Sequence, residues 1–391
     1  MGSWLIHHRT IAGTLAAAVA GAIAWSGHAS ALAFSFCFLL AFLVQARRSA
    51  AYMVALAYYA ASSWPLIPGA NTFFGPNSNP WQGVALWLTA SLLVAIPWGL
   101  FFFEAWPARF CSVPVALAAT TLPPLGLIGW ASPITSAGML FPGTGWLGIT
   151  AVLFLPAVVL RRPRVGLVVT AACIAVANIL SPGQPPLPKG WEAANTTFGP
   201  SNLELSDPIR EFRHAEWIQE QALNSNAHVI VFPEAAVSRW NDATEAFWQS
   251  ALAALAIEGK TIVLGTTVPV AGSPQRLNTV VIRGANGPAA IVQRIPVPIS
   301  MWQPLGESGY PLRLGDAGTV PIAGQRAGAL ICYELLLTWP VLSLSLEHPT
   351  VLVGVANDYW ASRTPIPAVQ RAALFAWARL FRLPCLIAVN T

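Results

Sequence analysis

Residues 327–337 read AGALICYELLL. The first six form a short uncharged run of the kind found in strands buried on both faces, and YELLL has the composition of a helix start. The change of period falls at Cys332. Outward from there the same alternation repeats. TVLVGVAN (350–357) reads as a strand, residues 367–381 as a helix, and CLIAVN (385–390) as another strand. Upstream, HVIVF (228–232) is a strand stopped by Pro233, and TIVLGTTV (261–268), NTVVIRG (278–284) and AAIVQRI (289–295) are β-branched runs. Asp207 before Pro208 is an N-cap followed by N1, opening a helix to about Asn224. Asp242 with Glu245 has the spacing of a capping box, for a helix ending near Gly259. Strands alternating with helices predict an α/β layered domain over 205–391.

The preceding half has a different composition. The chain is 55% hydrophobic and 9% charged, with mean hydropathy +0.57; an ordinary globular domain carries about 25% charged residues. Up to Leu180 there are seven basic residues and one acid, Glu104, against fourteen basic and fifteen acidic in the remainder. The excess arginines sit in short clusters between apolar runs, which excludes a basic face able to follow a phosphate backbone and hence a nucleic-acid partner.

Seven segments approach the roughly 20 apolar residues a membrane span needs: 10–26, 29–46, 50–67, 83–103, 112–131, 145–160 and 165–181. The expectation is a transmembrane helical bundle over 1–181 and a Pro- and Gly-rich linker over 182–204. With the N-terminus cytoplasmic, Arg9, Arg47–Arg48, Arg109 and Arg161–Arg164 all fall on one side. The α/β domain then emerges on the opposite face, the periplasm of a Gram-negative cell, with the bundle in the inner membrane in contact with lipid.

Two side chains stand out chemically. Glu234 follows a buried strand, where desolvation raises a carboxyl pKa and suits it to general-base work; a carboxylate capping a loop fits the same position. Cys332 lies at a strand-to-helix turn, where a helix N-terminus favours thiolate and the Tyr333 N–H could face an oxyanion; a small core residue is the competing reading. The other cysteines, Cys37, Cys111, Cys173 and Cys385, show no metal-ligand spacing. No metal or cofactor is expected.

FPEAAV (232–237), ICYE (331–334) and VANDYW (355–360) resemble, in order and spacing, three signature blocks of the nitrilase superfamily of carbon–nitrogen hydrolases. A helical membrane bundle ahead of such a domain is similar to apolipoprotein N-acyltransferases. With PVPISMW at 296–302, the chain looks closer to TraB-type conjugal transfer proteins. The resemblance implies an αββα sandwich with a Glu–Lys–Cys triad. Glu234 then matches the base, Cys332 the nucleophile that is acylated, and Glu334 a further motif position. No lysine stands where the family has one: Gln293 and Arg294 occupy the region, and Lys189 and Lys260 lie elsewhere. Arg294 is the candidate replacement, although a guanidinium is a poor mimic of an ammonium, and Glu307 is the candidate for the family's second Glu. The chain stops at Thr391, where family members continue, so the sandwich is expected to be truncated.

These readings lead to a membrane-anchored conjugal transfer protein with amide or acyl-transfer chemistry through a Cys332 thioester, acting on a lipid or amide substrate and meeting proteins of the conjugation apparatus. The alternatives are an inactive accessory using the domain as a binding module, and an apolipoprotein N-acyltransferase. A small transporter is disfavoured, because the apolar segments lack the mid-membrane ionisable residues that mark ion pathways.

Overall fold

The computed structural model describes residues 3–75, 79, 81–181, 183–199 and 207–391. The chain divides into two compact units.

The first unit comprises Met1–Gln184 together with Leu336–Trp339 and Arg363–Arg382. Its helices are α1 (Ser3–Ala24), α2 (Ser35–Leu43), α3 (Arg48–Ser63), α4 (Leu66–Phe74), α5 (Gln82–Leu100), α6 (Ser112–Thr121), α7 (Ala137–Leu140), α8 (Trp146–Arg161) and α9 (Pro163–Leu180), joined by one helix from far downstream, Ile366–Phe381. An aromatic cluster fills its interior: Phe38 stacks on Tyr58 at 4.2 Å, and Phe42 meets Trp98 edge-on at 4.9 Å. The polar tips are satisfied internally, Trp25 Nε1 donating to the Tyr58 hydroxyl at 2.9 Å and Tyr58 to Ser35 Oγ at 2.9 Å. The downstream helix lies so close to α7 that a Cβ on Gly138 would collide with the Ala376 carbonyl. Its last carbonyls, which no helix can satisfy by itself, accept from Gly143 N and Gly145 N at 2.8 and 2.9 Å.

Among the described residues two helices, α5 and α9, are long and apolar enough to cross a membrane. The expected set of seven full-length spans is not confirmed among the described residues. The segment 112–131 is helical in α6 for only ten residues, about 15 Å against a hydrocarbon core of about 30 Å, because Pro123 and Pro124 end it. The segment 50–67 divides at Pro65 into α3 and α4.

The second unit comprises Pro185–Leu335, Pro340–Ser362 and Leu383–Thr391. It holds two sheets. The first runs in the order β1 (Trp191–Ala193), β2 (Val229–Val231), β3 (Thr261–Pro269), β4 (Arg276–Gly284) and β5 (Ala289–Val292); the second runs β6 (Thr319–Ile322), β7 (Gln325–Ile331), β8 (Val351–Asn357) and β9 (Cys385–Asn390). In the first, β1, β2 and β3 pair in parallel and β4 and β5 add antiparallel; in the second, β7, β8 and β9 are parallel and β6 is the antiparallel edge. Val231, Val263, Val280, Ile331, Val353 and Ala388 share one core drawn from both sheets, so the sheets face each other. On the outer side of the first sheet, α10 (Pro208–Asn224) and α11 (Asp242–Ile257) bury Ile218, Trp248 and Leu255 against Ile230 and Leu264. On the second, Leu344 of α12 (Thr338–Leu346) sits against Gly328 of β7. The downstream helix of the first unit, Ile366–Phe381, is α13.

The cap of α10 is the expected one: Asp207 accepts from Ile209 N at 2.9 Å. That of α11 lies one residue earlier than the sequence spacing suggests. Asn241 accepts from Thr244 N at 2.9 Å, and Glu245 is taken by Arg283 at 3.1 Å and by the Trp240 indole. Part of the segment expected as linker is strand β1, which continues the first sheet beside β2.

Candidate active site

Glu234 leaves β2 through Phe232 and Pro233 and is 6% exposed. Two local features set it there. Ala235 takes a left-handed conformation, φ 53°, which turns the chain sharply behind the carboxylate. Gly265 of β3 lies directly beneath, bonded to Pro233 O at 3.1 Å, where a Cβ would overlap the Glu234 backbone. Gly265 is therefore required for close approach of two chain segments.

Cys332 directly follows β7 and opens a 3-10 turn over Cys332–Leu336. It holds φ 51° and is 6% exposed. A non-glycine residue in this region costs of order 1–3 kcal/mol and persists where the surroundings over-determine it. Glu334 supplies that determination. Its carboxylate accepts from Ile331 N at 3.0 Å, Arg294 N at 2.7 Å and Ile295 N at 3.2 Å, tying the turn to the chain leaving β5.

The carboxylate of Glu234 accepts from Asn278 Nδ2 at 2.6 Å and from the Asn357 backbone N–H at 2.9 Å, and its remaining partner is the Cys332 thiol. Asn278 also donates to Gln293 Oε1 at 2.9 Å, and Gln293 Nε2 donates to Ile331 O at 3.0 Å, one residue before the thiol. Asn390 Nδ2 bonds Asn357 Oδ1 at 2.7 Å, and Asn390 Oδ1 accepts from Thr196 and Phe198 N, each at 2.8 Å. The Glu234 carboxylate, the Cys332 thiol and the carboxamides of Asn278, Gln293, Asn357 and Asn390 thus form one buried network joining β2, β4, β5, β7, β8 and β9.

Burial pushes the Glu234 carboxyl up, opposed by its hydrogen bonds from Asn278, Cys332 and Asn357. Cys332 is pushed well above the ordinary thiol value, first by burial and then by the charges of Glu234 and Asp358. Burial first, and then the charges of Glu234 and Asp358, act against the thiolate expected at a helix N-terminus. Burial disfavours ionisation of the Cys332 thiol, so its use as a nucleophile would require a neighbouring base to take the proton in step with attack.

Arg294 does not stand in for a lysine here. It is 2% exposed, and its guanidinium pairs with Glu334 at 3.4 Å and reaches Ser343 Oγ at 3.5 Å; it is not among the groups acting on Glu234 or Cys332. Successive side chains leaving a strand point to opposite faces, so Gln293 enters the network and Arg294 is turned away from it. Glu307 lies in an exposed turn, and no bond joins it to the network among the described residues. Asn278 escaped the sequence reading because a polar residue near the start of a strand is ordinary; its burial shows only in the fold.

The carbon-nitrogen hydrolase family model matches residues 203–391. Over nearly the whole chain there is similarity to a "Probable conjugal transfer protein TraB" of Sinorhizobium fredii, 32% identical and covering 97% of each chain. A conjugal transfer protein TraB of Agrobacterium fabrum is 31% identical, covering 95% of this chain and 90% of its own. The chain belongs to the TraB-type branch of the nitrilase superfamily. Among solved structures, an amidase of that superfamily from Nesterenkonia is 13% identical, with a TM-score of 0.32 over 44% of this chain and 68% of its own.

Proposed function

We propose that the protein is a membrane-anchored component of conjugal transfer whose α/β domain performs amide or ester acyl transfer through a thioester on Cys332. The observation that carries the reading is the Glu234–Cys332 pair: a buried carboxylate bonded to a thiol held at a left-handed strand end. Attack of Sγ on an acyl carbon transfers the thiol proton to Glu234. Collapse of the tetrahedral adduct expels the amine or alcohol, which leaves with that proton, and yields the thioester. Water or an amine then attacks as Glu234 takes its proton, and breaking the C–S bond returns the proton to sulfur. Gln293 donates one amide N–H to Ile331 O; its second N–H is the neutral donor that takes the place of a cation towards the oxyanion.

Membrane anchorage rests on the apolar helices of the first unit and on the placement of its arginines. The positive clusters face the cytoplasm and the catalytic domain the periplasm, so lipid or a lipid-linked acyl donor is within reach.

A second reading, a binding module without chemistry, is favoured by one observation: Gln293 leaves the network without a positive charge. Plasmid transfer frequency separates the two. Deleting the gene is expected to lower transfer, and Cys332→Ser to lower it equally. Transfer at the wild-type level by Cys332→Ser, with deletion still impaired, would establish the binding module. Unimpaired transfer by the deletion strain would remove the conjugation role.

A further inference from the structure

Four arginines of the first unit gather around the turn that follows α5. Arg109, almost buried, donates through Nε to Phe103 O at 3.1 Å and through its Nη atoms to Leu43 O and Glu104 O. Arg48 Nε donates to Phe102 O at 3.3 Å. The carbonyls of Phe102, Phe103 and Glu104 lie just past the end of α5, where no helical N–H reaches them. The other two arginines have no such task. Arg161, at the end of α8, is exposed and stands over the Trp106 ring at 5.8 Å, with Arg109 at 5.6 Å from the same ring. Its guanidinium makes no hydrogen bond or ion pair among the described residues. Arg9, on α1, is close enough for its charge to act against that of Arg109. The one acid, Glu104, is exposed and forms no ion pair among the described residues, so four cations face one carboxylate. Gathering like charges costs free energy, which a counter-charge from outside the chain offsets. Both helices long enough to cross a membrane meet this turn: α5 ends at Leu100, just before it, and α9 starts at Pro163, just after Arg161. A span leaves the hydrocarbon at such an end, at the level of the lipid headgroups. Along the start of α9, Val165, Leu167 and Val168 are each more than half exposed.

We infer that this end of the first unit is a binding site for an anionic phospholipid. Its phosphate meets the Arg161 guanidinium beside Trp106, in the field of Arg9, Arg48 and Arg109, and its acyl chains lie along the exposed side of α9. Arginine suits the task, because its planar fork bonds two phosphate oxygens at once. A nucleic acid fits less well: the cations occupy one end of the helices, the surface beside them is apolar, and no basic row follows a phosphate backbone. The inference rests on the membrane anchorage proposed above and is independent of whether Cys332 is acylated.

The test is native mass spectrometry of the full chain in detergent, titrated with phosphatidylglycerol and, as the lipid of zero net charge, phosphatidylcholine. Glycerol phosphate supplies the phosphate without acyl chains, and a single-stranded oligonucleotide supplies phosphates without an apolar part. Phosphatidylglycerol is expected to bind at least about fivefold more tightly than phosphatidylcholine, a preference lowered about fivefold by Arg161→Gln and largely kept by Arg161→Lys. Lys189→Gln, which removes a charge from the second unit, should leave the preference unchanged. Equal binding of the two lipids, or an Arg161→Gln chain that binds phosphatidylglycerol like the wild type, would overturn the inference. Displacement of the lipid by equimolar glycerol phosphate would overturn it in favour of a soluble phosphate, and displacement by the oligonucleotide in favour of a nucleic acid. Insertion into lipid nanodiscs separates this inference from the reading beneath it. A chain that enters nanodiscs of either lipid and prefers neither contradicts the lipid site alone, whereas one that enters neither contradicts the anchorage and the site together.

Discussion

Glu234 and Cys332 hold their protons more tightly in the folded chain than out of it, and that has a measurable consequence. A carboxyl whose folded-state pKa lies above its ordinary value of 4.5 binds more protons folded than unfolded. Its contribution to stability is complete below that value and is lost as pH rises towards the folded-state pKa. The thiol repeats the pattern above its ordinary 9.0. Stability measured by denaturant should therefore decline with pH in both windows, and Glu234→Gln should flatten the first, the slope of one titrating group being at most about 1.4 kcal/mol per pH unit. A rising profile in the lower window would contradict the assigned desolvation. Glu334 answers to a different test. Glu334→Ala leaves the Arg294 guanidinium buried without its carboxylate and strips three backbone N–H groups of their acceptor. A loss of about 3–5 kcal/mol is expected, read as a shift of the unfolding midpoint; a loss below about 1 kcal/mol would mean the turn is held by other contacts.

At the scale of elements, the strands were legible because their apolar runs end at proline, glycine or a charge. HVIVF, TVLVGVAN and CLIAVN became β2, β8 and β9 within a residue or two at most positions. What escaped reading was tertiary. The choice between Gln293 and Arg294 as the residue entering the site depends on which side of the chain faces the network, and the local sequence is ambiguous because β5 ends at Val292, just before them. The strand β1 was hidden in a segment rich in proline and glycine, since three residues carry no periodicity and pairing with β2 alone makes them a strand. Cap identity at α11 was a matter of one residue, with Asn241 and Asp242 equally able to accept. Gly265 provides the elemental prediction. Gly265→Ala forces β3 away from the Pro233–Glu234 backbone and should lower Cys332-dependent activity at least about tenfold while the chain remains folded, because misplacement of a catalytic group by about 1 Å costs of order a hundredfold. Activity at the wild-type level would show that the loop tolerates the displacement.

For the whole molecule, two segments of the α/β sequence cluster with the helical unit: Leu336–Trp339, which follows the Cys332 turn, and Arg363–Arg382, which contains α13. A boundary read from composition alone runs once along the chain and misses such returns, because α13 is amphipathic rather than apolar throughout. Composition did announce helices in the first half, while proline placement shortens α6 and divides the segment 50–67. The orientation proposed from arginine placement is open to direct measurement. Alkaline phosphatase fused after Gln184 should be active if the α/β domain lies outside the cytoplasm, and a fluorescent protein fused there should be dark; the reverse pattern would place the domain inside.

The chemistry at Cys332 is tested most directly by the intact mass of the detergent-purified chain after incubation with phospholipid, beside Cys332→Ser. The account predicts a mass increase in the wild type that hydroxylamine removes and that Cys332→Ser lacks. No adduct on a folded wild-type sample, or an adduct that survives in Cys332→Ser, would contradict it.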